Sequence, residues 1–425
     1  MRRIRTCLLM LLAAGVCCFP LVSLGQGQNQ APAMEHWVAT WATAQQLMPG
    51  GPGVGRGGAQ GGLGPAPGPN TSAANAQTPN TPEPQTGRGG RGGGQASNLP
   101  PTFADQTVRM IVHTSIGGRR IRVELSNMFG AQPLEVGAAH IGIHKSGGAA
   151  AEGTDRTLTF GGSPSFTIQP GMLVVSDPVD LRVAPLSDLA ISLYLPHDTG
   201  PPTNHTLGLH TAYISKGDVT GSAVMPDPTT MFAYAWISSV DVAAPADAFT
   251  IVALGDSITD GFRTTRDADQ AWPTLLAKRL SANKTTQHVA VVNQGISGNQ
   301  VLRDGAGVSA LARFDRDVLS RPGVKWVILL EGINDINIRT RTDGPGALTA
   351  EELIWGYRQI IARCHEHGIK VIGATVMPSE GVPTYIRKGG KASGRRSISG
   401  FAPRGISTQW WISIPWFGIR NSLQD

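Results

Sequence analysis

Three residues suited to acyl chemistry follow one another in the second half of the chain: Ser257, Gly298 and Asn334. Ser257 stands in Gly255-Asp256-Ser257-Ile258-Thr259-Asp260-Gly261, behind the apolar run 249–254 and ahead of a helix-like stretch, 271–280. A strand that breaks into such a turn and then a helix presents a hydroxyl at its carboxyl end, with backbone N–H groups close by. Gly298 lies in the Gly-rich turn Asn293-Gln294-Gly295-Ile296-Ser297-Gly298-Asn299, which can aim an N–H at a bound oxygen. Asn334, in Glu331-Gly332-Ile333-Asn334-Asp335, places a side-chain amide at a third strand end. A serine nucleophile needs donors set for the developing oxyanion, each worth roughly 2.7–4 kcal/mol of barrier. The N–H groups of Ser257 and Gly298 with the Asn334 amide would form a three-donor hole.

The elements that must carry these residues alternate strand and helix from Phe249 onward, a pattern of a doubly wound parallel sheet whose ligands gather at the strands' carboxyl ends. Strands are expected at 249–254, 289–292, 326–330 and 370–376. The best-marked helix is 350–367, with Thr349 and Glu352 as a capping box, Gly368 just past its end, and Leu353, Tyr357, Ile360, Ile361 and Cys364 on one face. Cys364 on that stripe reads as a buried, inert thiol. The first half reads as β. Residues 36–45 alternate as a first strand, and 107–116 and 119–127 form an expected hairpin about Gly117-Gly118. Short strands follow at 134–144, 158–160, 166–168, 172–175, 179–183 and 189–195, together a β-sandwich of jelly-roll type over 36–245. Residues 243–248 read as a hinge.

Composition narrows the class. Arg2, Arg3 and Arg5, the apolar run 7–22 and small residues at Ser23 and Gly25 form a cleavable export signal over 1–25, which implies a secreted or periplasmic, bacterial-type protein without stable membrane association. Three of four cysteines lie inside it, so the mature chain keeps Cys364 alone and can form no internal disulfide. The Gly/Pro/Asn/Gln-rich stretch 48–101 lacks the apolar residues that offset ordering entropy and reads as a disordered insert. Its Arg-Gly-Gly units at Arg88 and Arg91 suit RNA elsewhere, but in an exported chain they read as solvated linker. The net charge of +6 is no nucleic-acid footprint. Residues 386–425 hold seven basic residues and one acid, which leaves 29 of each sign among the 36 and 30 of the whole.

With Gly-Asp-Ser at Ser257, the Gly-rich turn at Gly298 and Gly-x-Asn-Asp at Asn334, residues 249–385 resemble a GDSL-type esterase of the SGNH hydrolase superfamily. The β-rich part and the run Ala312-Arg313-Phe314-Asp315-Arg316-Asp317 resemble a subfamily of arylesterases and acylhydrolases linked to plant cell-wall polysaccharides. The resemblance implies a flavodoxin-like sheet, a Ser257 nucleophile, an oxyanion hole of Ser257, Gly298 and Asn334, and a small-molecule or carbohydrate ester as substrate. It implies no cofactor, and no His/Cys/carboxylate cluster with metal-ligand spacing occurs in the sequence. Asp256 and Asp335 are read as structural hydrogen-bonding residues. A phosphate-cradling reading of the first turn fails because no Gly-Lys-Ser/Thr follows.

The family's fourth block, a late Asp-x-x-His, has no counterpart: no histidine follows His367. His365 and His367 end the capped helix and read as surface groups, and His288 precedes a strand at the end opposite the site. Without a base, a serine hydroxyl is a poor nucleophile. Residues 386–425, with Trp410, Trp411 and Trp416 close together, show no helix or strand period. Read one base displaced, the single-codon tryptophans fix a Val-Asp inside what can become an apolar strand. A frameshift near Tyr385 that removed a fifth strand and the Asp-x-x-His block is therefore the expectation for this chain. The competing reading is a secreted, non-catalytic carbohydrate-binding protein with a relic hydrolase domain.

Overall fold

Alternating apolar side chains sort the first half of the chain into strands that bury one face each. The computed structural model describes residues 35–46, 97–339 and 348–375. The export signal, nearly all of the 48–101 insert and the 386–425 tail lie outside the described residues. The main strands of the first half are β1 (Trp37–Ala42), β2 (Gln106–His113), β3 (Gly118–Ser126), β4 (Ala138–Ser146), β5 (Val179–Val183), β6 (Asp188–Leu195), β7 (Ala212–Lys216) and β8 (Ile237–Ala243). One antiparallel sheet runs β1-β8-β3-β5; the other contains β7-β2-β6-β4. Ile121, Val123 and Leu125 of the first sheet share one core with Val108, Met110, Val112 and Ile191 of the second.

Several sequence expectations change here. β2 and β3 are not a hairpin: β2 pairs with β6 and β7, and β3 with β8 and β5. The chain crosses from one sheet to the other because residues 114–116 are captured by β1. Ser115 N–H donates to Thr40 O at 2.9 Å and the Thr40 hydroxyl to Ile116 O at 2.7 Å. Gly117 is there for close approach, since a β-carbon would overlap the Val183 carbonyl. The expected strand 134–144 is two, Leu134–Val136 and β4, which belong to different sheets. β7 and β8 were not foreseen. β8 is buried along its whole length despite Ser238, Ser239 and Asp241, because Glu124 of β3 accepts from Ser238, Arg122 of β3 donates to Asp241, and Asp241 accepts from Ser239.

The second half is built on a parallel sheet of β9 (Phe249–Gly255), β10 (Val289–Gly295), β11 (Val324–Leu330) and β12 (Lys370–Gly373), in the order β10-β9-β11-β12. The helices are α1 (Ser257–Asp260), α2 (Trp272–Ser281), α3 (Ala310–Phe314), α4 (Ile333–Arg339) and α5 (Ala350–Glu366). The α5 capping box forms as read: Thr349 Oγ1 accepts from Glu352 N–H, and the Glu352 carboxylate accepts from Thr349 N–H. Cys364 is buried, and that burial pushes its thiol up to about 12.

β1 serves both halves. Ala39 and Ala42 pack in one core with Val252, Leu254, Val292 and Phe314. The Thr250 hydroxyl lies 3.1 Å from Ala39 O and 2.9 Å from Pro322 O, and Val291 N–H donates to the Ser115 hydroxyl at 3.1 Å. The 243–248 connector is fastened at both ends, with Ala244 N–H on His36 O and His36 Nε2 on Ala248 O, each at 2.9 Å. Among the described residues no helix is long and apolar enough to cross a membrane.

Candidate active site

The three strand ends finish level with one another: Gly255 pairs with Gly295 on one side and with Leu330 on the other. The loops after them are therefore neighbours from their first residue. Asp256 caps α1, its carboxylate accepting from Ile258 N–H at 3.0 Å, which turns the chain so that Ser257 opens the helix. The Ser257 hydroxyl makes no hydrogen bond among the described residues, and the N–H groups of Ser257 and Gly298 meet no acceptor there. Gly298 adopts φ +82°, a left-handed conformation that suits glycine and lets the turn double back. The Asn334 amide donates to Asn299 O at 2.9 Å, which holds it against the residue after Gly298 and leaves its second N–H for another acceptor.

Further side chains lace this corner, Asp335 in the structural role read from the sequence, Asp260 and Arg313 in roles the sequence did not disclose. Asp335 accepts from Val301 N–H at 2.8 Å and Leu302 N–H at 3.2 Å, fastening α4 to the Gly298 loop. Asp260 accepts from both the N–H and the hydroxyl of Ser297, at 2.7 and 2.6 Å. Buried Arg313 donates to Gln294 O at 2.8 Å, Asn299 Oδ1 at 3.1 Å and Gly255 O at 3.2 Å, and pairs with Asp317 at 3.0 Å. One guanidinium thus ties two strand ends to the Gly298 loop, a task suited to a rigid five-donor fork. The i, i+4 spacing of Arg313 and Asp317 was the available signal. Gly332, at φ +113°, lets the Tyr357 hydroxyl reach Glu331 O at 2.7 Å.

Behind Ser257 lie three carboxyls, Asp256, Glu331 and Asp335, all held above their ordinary values, chiefly by burial. Asp256 is raised to about 6, and the Asp260 and Asp335 charges add to its burial. Glu331 is raised well above the usual range by burial and then by Asp256. Asp256 and Asp335 spend their oxygens on backbone N–H groups of the loop framework.

The histidines fall as follows. His288 pairs with Asp247 at 2.9 Å, and His365 and His367 are exposed at the end of α5. Unforeseen was His205, fully buried in the strand Asn204–His205. Its Nδ1 lies 2.6 Å from Ala44 O and its Nε2 2.9 Å from Asp260 Oδ1. Both nitrogens face acceptors, so the ring is held as an imidazolium. Burial opposes that charge, but Asp260 outweighs it and raises the His205 pKa. An imidazolium with both protons engaged positions the α1 turn and is no base for Ser257.

Residues 253–396 match the model of the GDSL-like Lipase/Acylhydrolase family, about a third of the chain. No curated protein matches. The chain is similar to a G-D-S-L family protein from Desulfitobacterium hafniense DCB-2, at 25% identity over 31% of this chain and 62% of that one, TM-score 0.24. It is similar also to AlinE4, an SGNH-hydrolase family esterase, at 19% identity over 33% and 65%, TM-score 0.27. A third is a mutant of Axe2, an acetyl-xylooligosaccharide esterase from Geobacillus Stearmophilus, at 24% identity over 32% and 65%, TM-score 0.26. In each case it spans less than two thirds of the solved chain. Residues 253–396 thus carry a GDSL-like lipase/acylhydrolase domain.

Proposed function

We propose that this chain is an exported hydrolase of carboxylic esters that works through an acyl-enzyme on Ser257. The Ser257 oxygen attacks the ester carbonyl, the alcohol leaves, and water then releases the acid. The N–H groups of Ser257 and Gly298 with the Asn334 amide take the negative charge on the carbonyl oxygen. The observation that carries this reading is the Asn334–Asn299 hydrogen bond beside strand ends paired at Gly255, Gly295 and Leu330. Acyl groups on plant cell-wall carbohydrate are the substrate class, on the strength of the sequence resemblance. The order β10-β9-β11-β12 supports a flavodoxin-like sheet, as its first four strands, and the two antiparallel sheets are assigned to the jelly-roll class.

The proton of Ser257 has no imidazole to receive it among the described residues, and the sequence has no histidine beyond His367. We therefore assign a turnover lowered by several orders of magnitude, as loss of a triad member does in serine proteases, and trace it to a frame change near the Tyr385 codon. Purified protein is assayed with p-nitrophenyl acetate beside Ser257→Ala and Asn334→Ala. Weak hydrolysis abolished by Ser257→Ala supports the assignment; equal rates for both proteins favour the carbohydrate-binding reading. Sequencing the gene across that codon settles the frame.

A further inference from the structure

Away from Ser257, a second cluster of titratable side chains joins the two halves of the molecule. His113 ends β2, Asp188 begins β6, His210 precedes β7, and Asp269 lies in the loop before α2. His113 Nδ1 is 2.7 Å from Asp188 Oδ1 and 3.3 Å from Asp269 Oδ2. A single ring nitrogen, with at most one proton, therefore serves two carboxylates, whose negative charges converge on it. The outer oxygens are supported as well. His210 Nε2 lies 3.0 Å from Asp269 Oδ1, and His144 Nδ1 lies 3.7 Å from Asp188 Oδ2.

We propose that His113 Nδ1, Asp188 Oδ1 and Asp269 Oδ2 bind a divalent cation of the zinc class, with water as fourth ligand. The three atoms lie within 4.8 Å of one another. Tetrahedral zinc with arms of about 2.0–2.2 Å sets its ligand atoms about 3.3–3.6 Å apart, so the 2.7 Å pair opens by less than an ångström as the metal displaces the proton. The mix of imidazole and carboxylate favours zinc over calcium or magnesium, which prefer all-oxygen shells. A cavity of about 40 Å³ lined by His113, His210 and Asp269 adjoins the cluster, and a water needs only about 10–15 Å³. The ring of His113 is nine-tenths buried, and its Nε2 has no hydrogen-bond partner. His210, 3.0 Å from Asp269 Oδ1, holds that carboxylate in the way that outer groups commonly orient metal ligands. Lys278 Nζ, 3.8 Å from Asp269 Oδ2, donates to Asp269 O at 3.2 Å and so fixes the loop that delivers this ligand. The ligands come from positions up to 156 residues apart, so no ligand spacing appears in the sequence. The ion would staple β2 and β6 to the hydrolase half and take no part in ester chemistry.

The full chain, stripped with chelator, is titrated with zinc chloride against a chromophoric competitor, and its thermal midpoint is followed with and without zinc. The expected result is one tight equivalent and a midpoint raised by zinc and returned by EDTA. Asp188→Asn and Asp269→Asn, which preserve shape, should each weaken binding by more than about 100-fold, and His210→Ala by about 10–100-fold. Near-UV circular dichroism of the zinc-free variants reports their folding, and wild type with Asp188→Asn decides the matter if Asp269→Asn does not fold. Failure of wild type to take up an equivalent overturns the proposal. So does undiminished binding by the asparagine variants, which would place the metal away from these three side chains.

Discussion

His205 Nε2 meets Asp260 Oδ1 at 2.9 Å in a pair shut off from solvent, so the β-half of the molecule holds the turn that presents Ser257. Removing one partner of a buried pair commonly costs about 3–5 kcal/mol. His205→Ala should fall at the low end, because Ser297 still donates twice to Asp260. Urea unfolding measures the loss. The pair also carries a pH signature. Because the folded pKa of His205 is raised, its contribution is complete below the ordinary value of about 6.5 and is lost as pH rises through the folded one. Wild type should therefore lose more stability than His205→Ala between mildly acid and alkaline buffer; parallel curves would refute the ion pair.

Asp256 supplies a second pH dependence over a lower range. Its pKa, raised to about 6 from 3.8 mainly by burial, favours the fold below the unfolded value, and that contribution disappears as pH climbs through about 6. A shift of this size corresponds to at most about 3 kcal/mol. Asp256→Asn keeps an oxygen for Ile258 N–H and should be more stable than wild type at neutral pH. The advantage should vanish in acid, and thermal melts across that range decide it.

Arg313 has no adequate substitute. Arg313→Met leaves Gly255 O, Gln294 O and Asn299 Oδ1 short of a donor, while Asp317 keeps Arg316 at 2.6 Å. About 3 kcal/mol of stability should be lost. Arg313→Lys should restore less than half, since one ammonium cannot span acceptors on two strands and a loop. Full rescue by lysine, read from urea midpoints, would show that charge alone matters there.

Gly332 and Tyr357 should prove coupled. Gly332→Ala places a β-carbon on the Tyr357 hydroxyl and forces alanine to φ +113°, a backbone strain of about 1–3 kcal/mol before any overlap. Tyr357→Phe removes the overlap along with the bond to Glu331 O. In a double-mutant cycle the combined loss should be smaller than the sum by about 0.5–3 kcal/mol.

What the sequence disclosed was mostly local. The α5 capping box, the apolar run of β9 and the turn at Ser257 each need only neighbouring residues to be recognised. Failures began where distant chain decides. Gly117-Gly118 looks like a hairpin turn until Thr40 pulls the preceding residues away. Ile237–Ala243 looks too polar for a buried strand until Glu124 and Arg122 are set beside it. His205 sits 55 residues from Asp260, and nothing near it hints at that partner. Arg313 was noticed only within a run of residues, since its work at Gly255 and Gln294 depends on carbonyls that no side-chain pattern records.

The position of β1 bears on how the chain reaches its native state. Ala39 O and Thr250 are 211 residues apart, so the first strand made is among the last to find its place. Until Ile237–Ala243 and Phe249–Gly255 have been synthesised, Trp37–Ala42 waits with unpaired edges, a circumstance that slows folding and invites wrong partners. A gene fragment encoding only the hydrolase half would lack that strand altogether and should emerge insoluble.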